Sequence, residues 1–431
     1  MQTNAFHILE ERGFLYQTTD AEALRRLLGE RPVTFYVGFD PTASSLHIGH
    51  LLPVMAMRRL QECGHRALAL VGGATAMVGD PSGKTEARPI LSRDDINANA
   101  EAIQAQLARF LDFTEGRARL VNNADWLAPL NYIEFLRDFG RHFSVNRMLA
   151  AESVKQRLET GLSFLEFNYM LLQAYDFYHL NREYGCALQL GGQDQWGNIV
   201  AGIDITRRLG QQEVYGLTFP LLLKSDGEKF GKTAAGAVWL DPQRTRPYDY
   251  YQFWRNVDDA DVARLLGFFT ALPMDEVRRL GTLPAPDINR AKEILAFEAT
   301  GLAHGADEAA RAYLAAGSEF GFADSANRIP TSSRITAVSA GTAADLPTYR
   351  VPRTSLEAGV GVLKLFVDAG LCGSNSEARR LVRGGGCYLN DRRLDNETQT
   401  VTVADLADGQ MLLRAGKKNL RRVILDEGAD R

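Results

Sequence analysis

Two kinds of apolar pattern alternate along this chain. Val33–Phe39 is a short run of β-branched and aromatic residues closed by Asp40-Pro41-Thr42, which predicts a buried strand and a loop after it. Leu51–Gln61 then mixes apolar positions with Arg58, Arg59 and Gln61, a helical composition, and Ala67–Val71 is a second buried strand stopped by Gly72-Gly73. Ser92 with Asp95 marks a helix start, and that helix is expected to reach about Phe110. Leu188–Leu190 ahead of Gly191-Gly192, and Leu217–Leu223, predict two further strands. This repetition predicts an α/β fold, a Rossmann-like parallel sheet with helices on both faces, whose ligands gather at the carboxyl ends of the strands. From about Tyr248 to Leu314 the pattern is helical, and a stretch rich in Ser, Thr, Ala and Pro then breaks it. The expected division is a sheet domain over 1–222, a loop and helical domain over 223–322, a linker over 323–354 and a small α+β module over 355–431.

Composition narrows the class only slightly. A chain of 431 residues with 45% hydrophobic and 24% charged residues holds one large core with appended modules. Its net charge of -4 means that any nucleic-acid contact must come from local basic patches. The four cysteines, Cys63, Cys186, Cys372 and Cys387, show neither zinc-finger nor redox spacing, so no metal site is expected from them. Glu10, Glu11 and Arg12 stand where a signal peptide would need an apolar run, and the expectation is a cytoplasmic protein without a membrane span.

Two segments suggest phosphate chemistry. His47-Ile48-Gly49-His50 lies between the first strand and its helix, where free N–H groups suit an anion and Gly49 lets a nucleotide approach the backbone. Alone, the tetrapeptide equally fits a helix cap with surface histidines. Pro53 adds that the helix either begins close to His50 or is distorted near its start. The second segment, Lys224-Ser225-Asp226-Gly227-Glu228-Lys229-Phe230-Gly231-Lys232-Thr233, is a lysine-bearing loop after a late strand, suited to close over a polyphosphate. Gly79-Asp80-Pro81-Ser82-Gly83-Lys84-Thr85 imitates a P-loop, but Val78 stands where a glycine is required and the spacing is one residue short. A third constellation is Tyr169, Gln173 and Asp176, at i, i+4 and i+7 on an otherwise apolar helix. Such polar groups need partners, either each other or a polar ligand.

Taken together, these segments carry a resemblance. Tyr36-Val37-Gly38-Phe39-Asp40-Pro41-Thr42 through His50 resembles the HIGH region of bacterial tyrosyl-tRNA synthetases, which are class I aminoacyl-tRNA synthetases. Leu70–Thr75 with Gly79–Lys84, Tyr169–Asp176 and Gly191–Asn198 are similar to further blocks of that family, and Lys229–Thr233 matches its variant of the KMSKS loop. The resemblance covers nearly the whole chain and is weakest from about Ala271 to Thr354.

It implies a tyrosine–tRNA ligase that uses ATP with Mg²⁺ and no tightly bound metal or organic cofactor. It implies that Tyr36 and Asp176 meet the substrate hydroxyl, that Asp80, Tyr169 and Gln173 hold its ammonium, and that Gln195 lies near its carboxylate. Thr42, His47, Lys229, Lys232 and Thr233 would face the pyrophosphate portion. His50, Gly38, Asp40, Gly49, Gly192 and Asp194 would surround the nucleotide. A homodimer is implied too, with the apolar stretch around Phe164 as a possible interface.

The tail resembles an S4-like RNA-binding domain, with Arg379, Arg380 and Arg383 at helical spacing and Arg392, Arg393, Lys417, Lys418, Arg421 and Arg422 as further basic positions. Arg207-Arg208 is a candidate acceptor-stem contact, and a plain surface pair fits equally. Three other readings remain: a tryptophanyl-tRNA synthetase, a pantothenate-synthetase-like ligase and a non-catalytic RNA-binding protein. The phenol-directed pair, the basic tail and the two phosphate motifs respectively argue against them.

Overall fold

Every strand anticipated before residue 220 is present, and two more join them. The computed structural model describes residues 4–82, 91–225, 227, 230–233, 236–338, 348–390, 392–407, 409–416 and 419–426. One unit is drawn from Met1–Arg246 and Ala263–Met274, the other from Pro247–Val262 and Asp275–Arg431. Residues 223–246, expected to open the second domain, therefore belong with the sheet.

In the first unit the strands are β1 (Gln17–Thr18), β2 (Thr34–Phe39), β3 (Arg66–Val71), β4 (Ala118–Asn122), β5 (Cys186–Gly192) and β6 (Tyr215–Phe219), in the spatial order β1-β6-β5-β2-β3-β4. All neighbours run parallel except β1, which is antiparallel to β6. Because helices cover both faces, β2 and β3 read as continuous apolar runs instead of alternating. The last strand, expected over Leu217–Leu223, stops at Phe219, because Pro220 has no N–H to give a neighbour. Strand order reverses about β2, which has β3 on one side and β5 on the other. A crevice at their carboxyl ends is where such sheets bind ligands. Two short strands beyond the sheet, β7 (Lys232–Thr233) and β8 (Gly236–Ala237), pair antiparallel.

The second unit opens with the helices Pro247–Arg255, Ile288–His304 and Ala306–Phe320. Its interior holds a charged pair: fully buried Arg290 reaches Glu293 at 3.1 Å, the Tyr313 hydroxyl at 3.0 Å and Asn327 at 2.9 Å. The stretch expected as a linker is only partly one. Ser332 donates to Glu276 at 2.6 Å, Ser333 hydrogen-bonds Glu298, and the Asp324 carboxylate accepts the N–H groups of Arg328 and Ile329. Polar composition there serves these local bonds, not solvation.

The terminal module begins at Thr348, earlier than the expected 355, with β9 (Thr348–Pro352). There follow β10 (Val360–Gly361), β11 (Cys387–Leu389), β12 (Arg392–Arg393), β13 (Thr400–Val401), β14 (Gln410–Ala415) and β15 (Asn419–Asp426). A five-stranded sheet of order β12-β11-β14-β15-β9 packs its apolar side with the helices Val362–Asp368 and Asn375–Arg383 around Leu356, Phe366, Val382, Leu413 and Val423. Among the described residues no helix is long and apolar enough to cross a membrane.

Candidate active site

The helix after β2 spans Ile48–Glu62 and starts two residues before the position at which Pro53 suggested it might begin. Pro53 sits inside it, and lacks the N–H that the carbonyl four residues earlier, on Gly49, would accept. His47 is the N-cap. Its Nδ1 accepts the Gly49 N–H at 3.0 Å, and His50 Nδ1 accepts the His47 N–H at 3.3 Å, so the two imidazoles perform a reciprocal cap normally made by Ser and Glu. The rings stack at 3.9 Å. A side chain on Gly49 would press within 2.8 Å of His47 Cε1, so the glycine leaves room for the histidine cap. Thr42 lies exposed just beyond Asp40, and its N–H closes a turn onto the Asp40 carbonyl at 2.8 Å. Gly38 is exposed on β2, and a Cβ there would just touch Leu70 Cδ2 at 4.0 Å.

The lysine loop returns directly against this helix start. Ile48 N–H donates to Val238 O at 3.0 Å and Leu240 N–H to Leu46 O at 2.8 Å. Gly231, at φ 83°, packs on Ile48. Lys229 lies outside the described residues, as do Gly83 and Lys84, and Lys232 and Thr233 are described only as the backbone of β7.

At the carboxyl ends of β2, β3 and β5 the polar candidates converge. Asp40 Oδ1 accepts from Thr75 at 3.0 Å and Oδ2 from the Tyr169 hydroxyl at 3.1 Å, which joins a residue expected at the nucleotide to one expected at the ammonium. Asp80, 7% exposed, accepts the Ser82 N–H at 2.9 Å and Gln195 Nε2 at 2.7 Å. Burial pushes its carboxyl up to about 6, with the neighbouring Asp40 charge adding to the effect and three hydrogen bonds opposing it. Gln173 Oε1 accepts from Asn198 at 3.1 Å, and the same amide reaches Gln195 Oε1 at 3.2 Å. Asp194 stands beside this group, and a side chain on Gly192 would collide with it at 2.5 Å.

The inner end is drier. Asp176 is 1% exposed and accepts Trp126 Nε1 at 2.7 Å and Asn123 Nδ2 at 3.0 Å. Burial raises its carboxyl to about 7, the two donors pulling the other way. Tyr36, opposite Leu68 and Gln189 in the sheet, packs on Phe177, and its hydroxyl has no hydrogen-bond partner among the described residues. Burial and the Asp176 charge both hold that hydroxyl protonated. The inner end thus holds a buried carboxyl and a buried hydroxyl that has no partner among the described residues, groups that a ligand carrying its own hydroxyl could satisfy.

Asn123, Trp126, Thr75 and Asn198 were not anticipated. The first two follow β4, itself unrecognised, whose apolar Leu120-Val121 before Asn122-Asn123 was the available signal. Most of the described arginine candidates pair with carboxylates near them in their own unit. Arg207 and Arg208 share Asp204 with Arg147 at 2.9–3.2 Å. Arg383 binds Glu397 through two nitrogens at 2.8 and 3.1 Å, Arg379 approaches the same carboxylate at 3.7 Å, and Arg380 is exposed. Lys417 and Lys418 lie outside the described residues.

Comparison with known proteins follows the same division. Residues 28–321 match the family model of class I tRNA synthetases for tryptophan and tyrosine, and residues 340–423 match the C-terminal domain of SYY-like tyrosine–tRNA ligases. A tyrosine–tRNA ligase of Desulfatibacillum aliphaticivorans is 54% identical over 99% of this chain and all of its own length. The chain belongs to the tyrosine–tRNA ligases. The Clostridium botulinum enzyme of that name is 49% identical over 98% of this chain and 100% of its own. A C-terminally truncated mitochondrial tyrosyl-tRNA synthetase from Aspergillus nidulans superimposes with a TM-score of 0.65 at 32% identity, covering 73% of this chain and 93% of that one. The parallel-sheet class I fold and the tRNA-ligase assignment are therefore those of this family, and ATP is its substrate.

Proposed function

We propose that this tyrosine–tRNA ligase selects its amino acid at the buried inner end and activates it at the helix start. The observation that carries this reading is the pairing of the unpartnered Tyr36 hydroxyl with an Asp176 held rigid by Trp126 and Asn123. A phenol entering there gives the Tyr36 hydroxyl a partner and Asp176 a third donor, whereas phenylalanine leaves the Tyr36 hydroxyl buried and unsatisfied, at roughly 1–3 kcal/mol. Indole has no hydroxyl to offer either group. The substrate ammonium then falls among Asp80, the Tyr169 oxygen and Gln173 Oε1, with Gln195 beside the carboxylate.

The tyrosine carboxylate attacks the α-phosphorus of ATP in line, giving tyrosyl-adenylate and pyrophosphate, and a ribose hydroxyl at the 3′ end of tRNA later takes the acyl group. Because the nucleophile is already an anion, the first step calls for no side-chain base. Alignment and charge stabilisation supply the rate. Thr42, His47, Lys229, Lys232 and Thr233 take the pyrophosphate portion. Around the nucleotide stand Gly38, Asp40, Gly49, His50, Gly192 and Asp194. Mg²⁺ arrives with ATP as part of the substrate. The exposed apolar side chains Ile133, Val145, Phe164 and Leu165, of which Phe164 is 71% exposed, support a homodimer interface. RNA contacts belong to the terminal module and to Arg207 and Arg208.

The test is amino-acid-dependent ATP–pyrophosphate exchange with tyrosine, phenylalanine and tryptophan, followed by tRNA charging. Stimulation by tyrosine alone is expected. Replacing both His47 and Lys232 by alanine should slow exchange strongly while hardly changing tyrosine affinity, and unimpaired exchange in that variant overturns the assignment.

A further inference from the structure

The two nucleotide motifs are joined by a side-chain cluster centred on a residue that neither motif contains. Trp239 lies where the chain returns from the lysine loop, paired as a β-bridge with His47. Its ring meets the His47 imidazole edge-on at 5.9 Å, and His47 in turn stacks on His50. On Trp239 rests the Arg244 guanidinium, 3.4 Å from the ring centroid. The local backbone is pinned on both sides: Trp239 N–H donates to Thr245 Oγ1 at 3.0 Å and Asp241 N–H to Ser45 Oγ at 3.2 Å. An imidazole that caps its own helix through Nδ1 still has ring rotation to lose, and the Trp239 edge limits it.

We propose that Trp239 is a positioning residue for adenylate formation, clamped by Arg244, which fixes the His47 ring and ties the base of the lysine loop to the start of the signature helix. This rests on the reading of His47 as a phosphate-directed group. The cluster therefore acts through His47, and not by touching tyrosine.

The experiment is a double-mutant cycle in the full-length chain, read by pyrophosphate exchange with the kcat and KM for ATP and for tyrosine measured separately. Trp239→Ala should lower kcat on the order of 10- to 100-fold, the scale of a misplaced reacting group, with the KM for tyrosine held within about twofold. Trp239→Phe, which keeps an edge against the imidazole, should recover most of the rate. In a His47→Ala background, Trp239→Ala should cost less than about threefold further, because the group it positions is already gone. Additive losses overturn the proposal, as does an equal loss in tyrosine KM. If Trp239→Ala does not fold, the cycle is run with Arg244→Ala, whose side chain is exposed, and the same non-additivity is required. A His47→Ala variant with full activity would instead refute the reading of His47 itself, so the two failures are distinguishable.

Discussion

If Asp80 holds the substrate ammonium as proposed, tyrosine binding should depend on pH in a calculable way. The folded-state carboxyl of Asp80 stands at about 6, raised from 3.8 mainly by burial, and the proposed site sets the substrate ammonium beside it. Only the ionised form attracts that ammonium, so the observed dissociation constant scales as one plus the ratio of protonated to ionised Asp80. Taking about 6, that factor is roughly 1.1 at pH 7 and roughly 11 at pH 5, a weakening of about tenfold, or about 1.4 kcal/mol. Free tyrosine itself changes no charge over that interval. Equilibrium titration of the enzyme with tyrosine at pH 5, 6 and 7 measures the slope. Calorimetry in buffers of different ionisation enthalpy should show proton release on binding near pH 6. Asp80→Asn should bind weakly at every pH and lose this contribution to the slope. Flat affinity between pH 5 and 7, or proton uptake on binding, would refute the reasoning. The stability sign is opposite to that of an ordinary salt-bridged carboxylate. With the folded pKa raised above the unfolded one, the contribution of these two carboxyls to ligand-free stability is fullest below about pH 4 and is lost as pH rises through about 6 for Asp80 and about 7 for Asp176.

Other outcomes follow from the same geometry. Trp126→Phe removes the 2.7 Å donor to Asp176 and should cut tyrosine-over-phenylalanine discrimination by about 1–3 kcal/mol in relative kcat/KM; unchanged discrimination would show that Asp176 needs no such support. Gly72→Ala would drive a methyl into Asp40 Oδ1 and Thr75 Oγ1, so both tyrosine and ATP affinities should fall in exchange kinetics, and loss of only one would contradict Asp40 as a shared anchor. A chain ending at residue 338 should still exchange pyrophosphate and fail to charge tRNA, measured with labelled tyrosine. Phe164→Glu should shift the sedimentation coefficient toward the monomer, and an unchanged value would remove that face as the interface.

How far the sequence carried this picture depends on what each element does locally. β2 and β3 were legible because both their faces are covered, which forces apolar runs, and β5, though interrupted by Gln189, was marked by the Gly191-Gly192 that ends it. β4 was not, because it is the last strand of the sheet and carries Arg119, which leaves the core to lie over the Tyr184 ring. Missing β4 also hid Asn123 and Trp126, whose importance comes only from the distance they span to Asp176 across the sheet end. The face of Tyr169, Gln173 and Asp176 was readable from helical spacing, yet spacing could not show that Tyr169 turns to Asp40 while Gln173 turns to Asn198. Composition read 323–354 as a linker because Ser and Thr look alike whether they meet water or buried carboxylates such as Glu276.

The placement of β9 has a consequence for how the terminal module can be inherited. Its first strand lies parallel to its last, with Thr348 opposite Arg422 and Pro352 opposite Asp426. The points at which the chain enters and leaves the module are thus about one short strand apart, roughly 15 Å at the rise of an extended chain. A unit whose two ends lie on neighbouring strands, one strand length apart, can be transplanted as a cassette into a surface loop of another protein, or be circularly permuted, without unpicking its sheet. A donor segment cut at 355 would arrive without its edge strand, and β15 would be left bare to pair with whatever chain it met first.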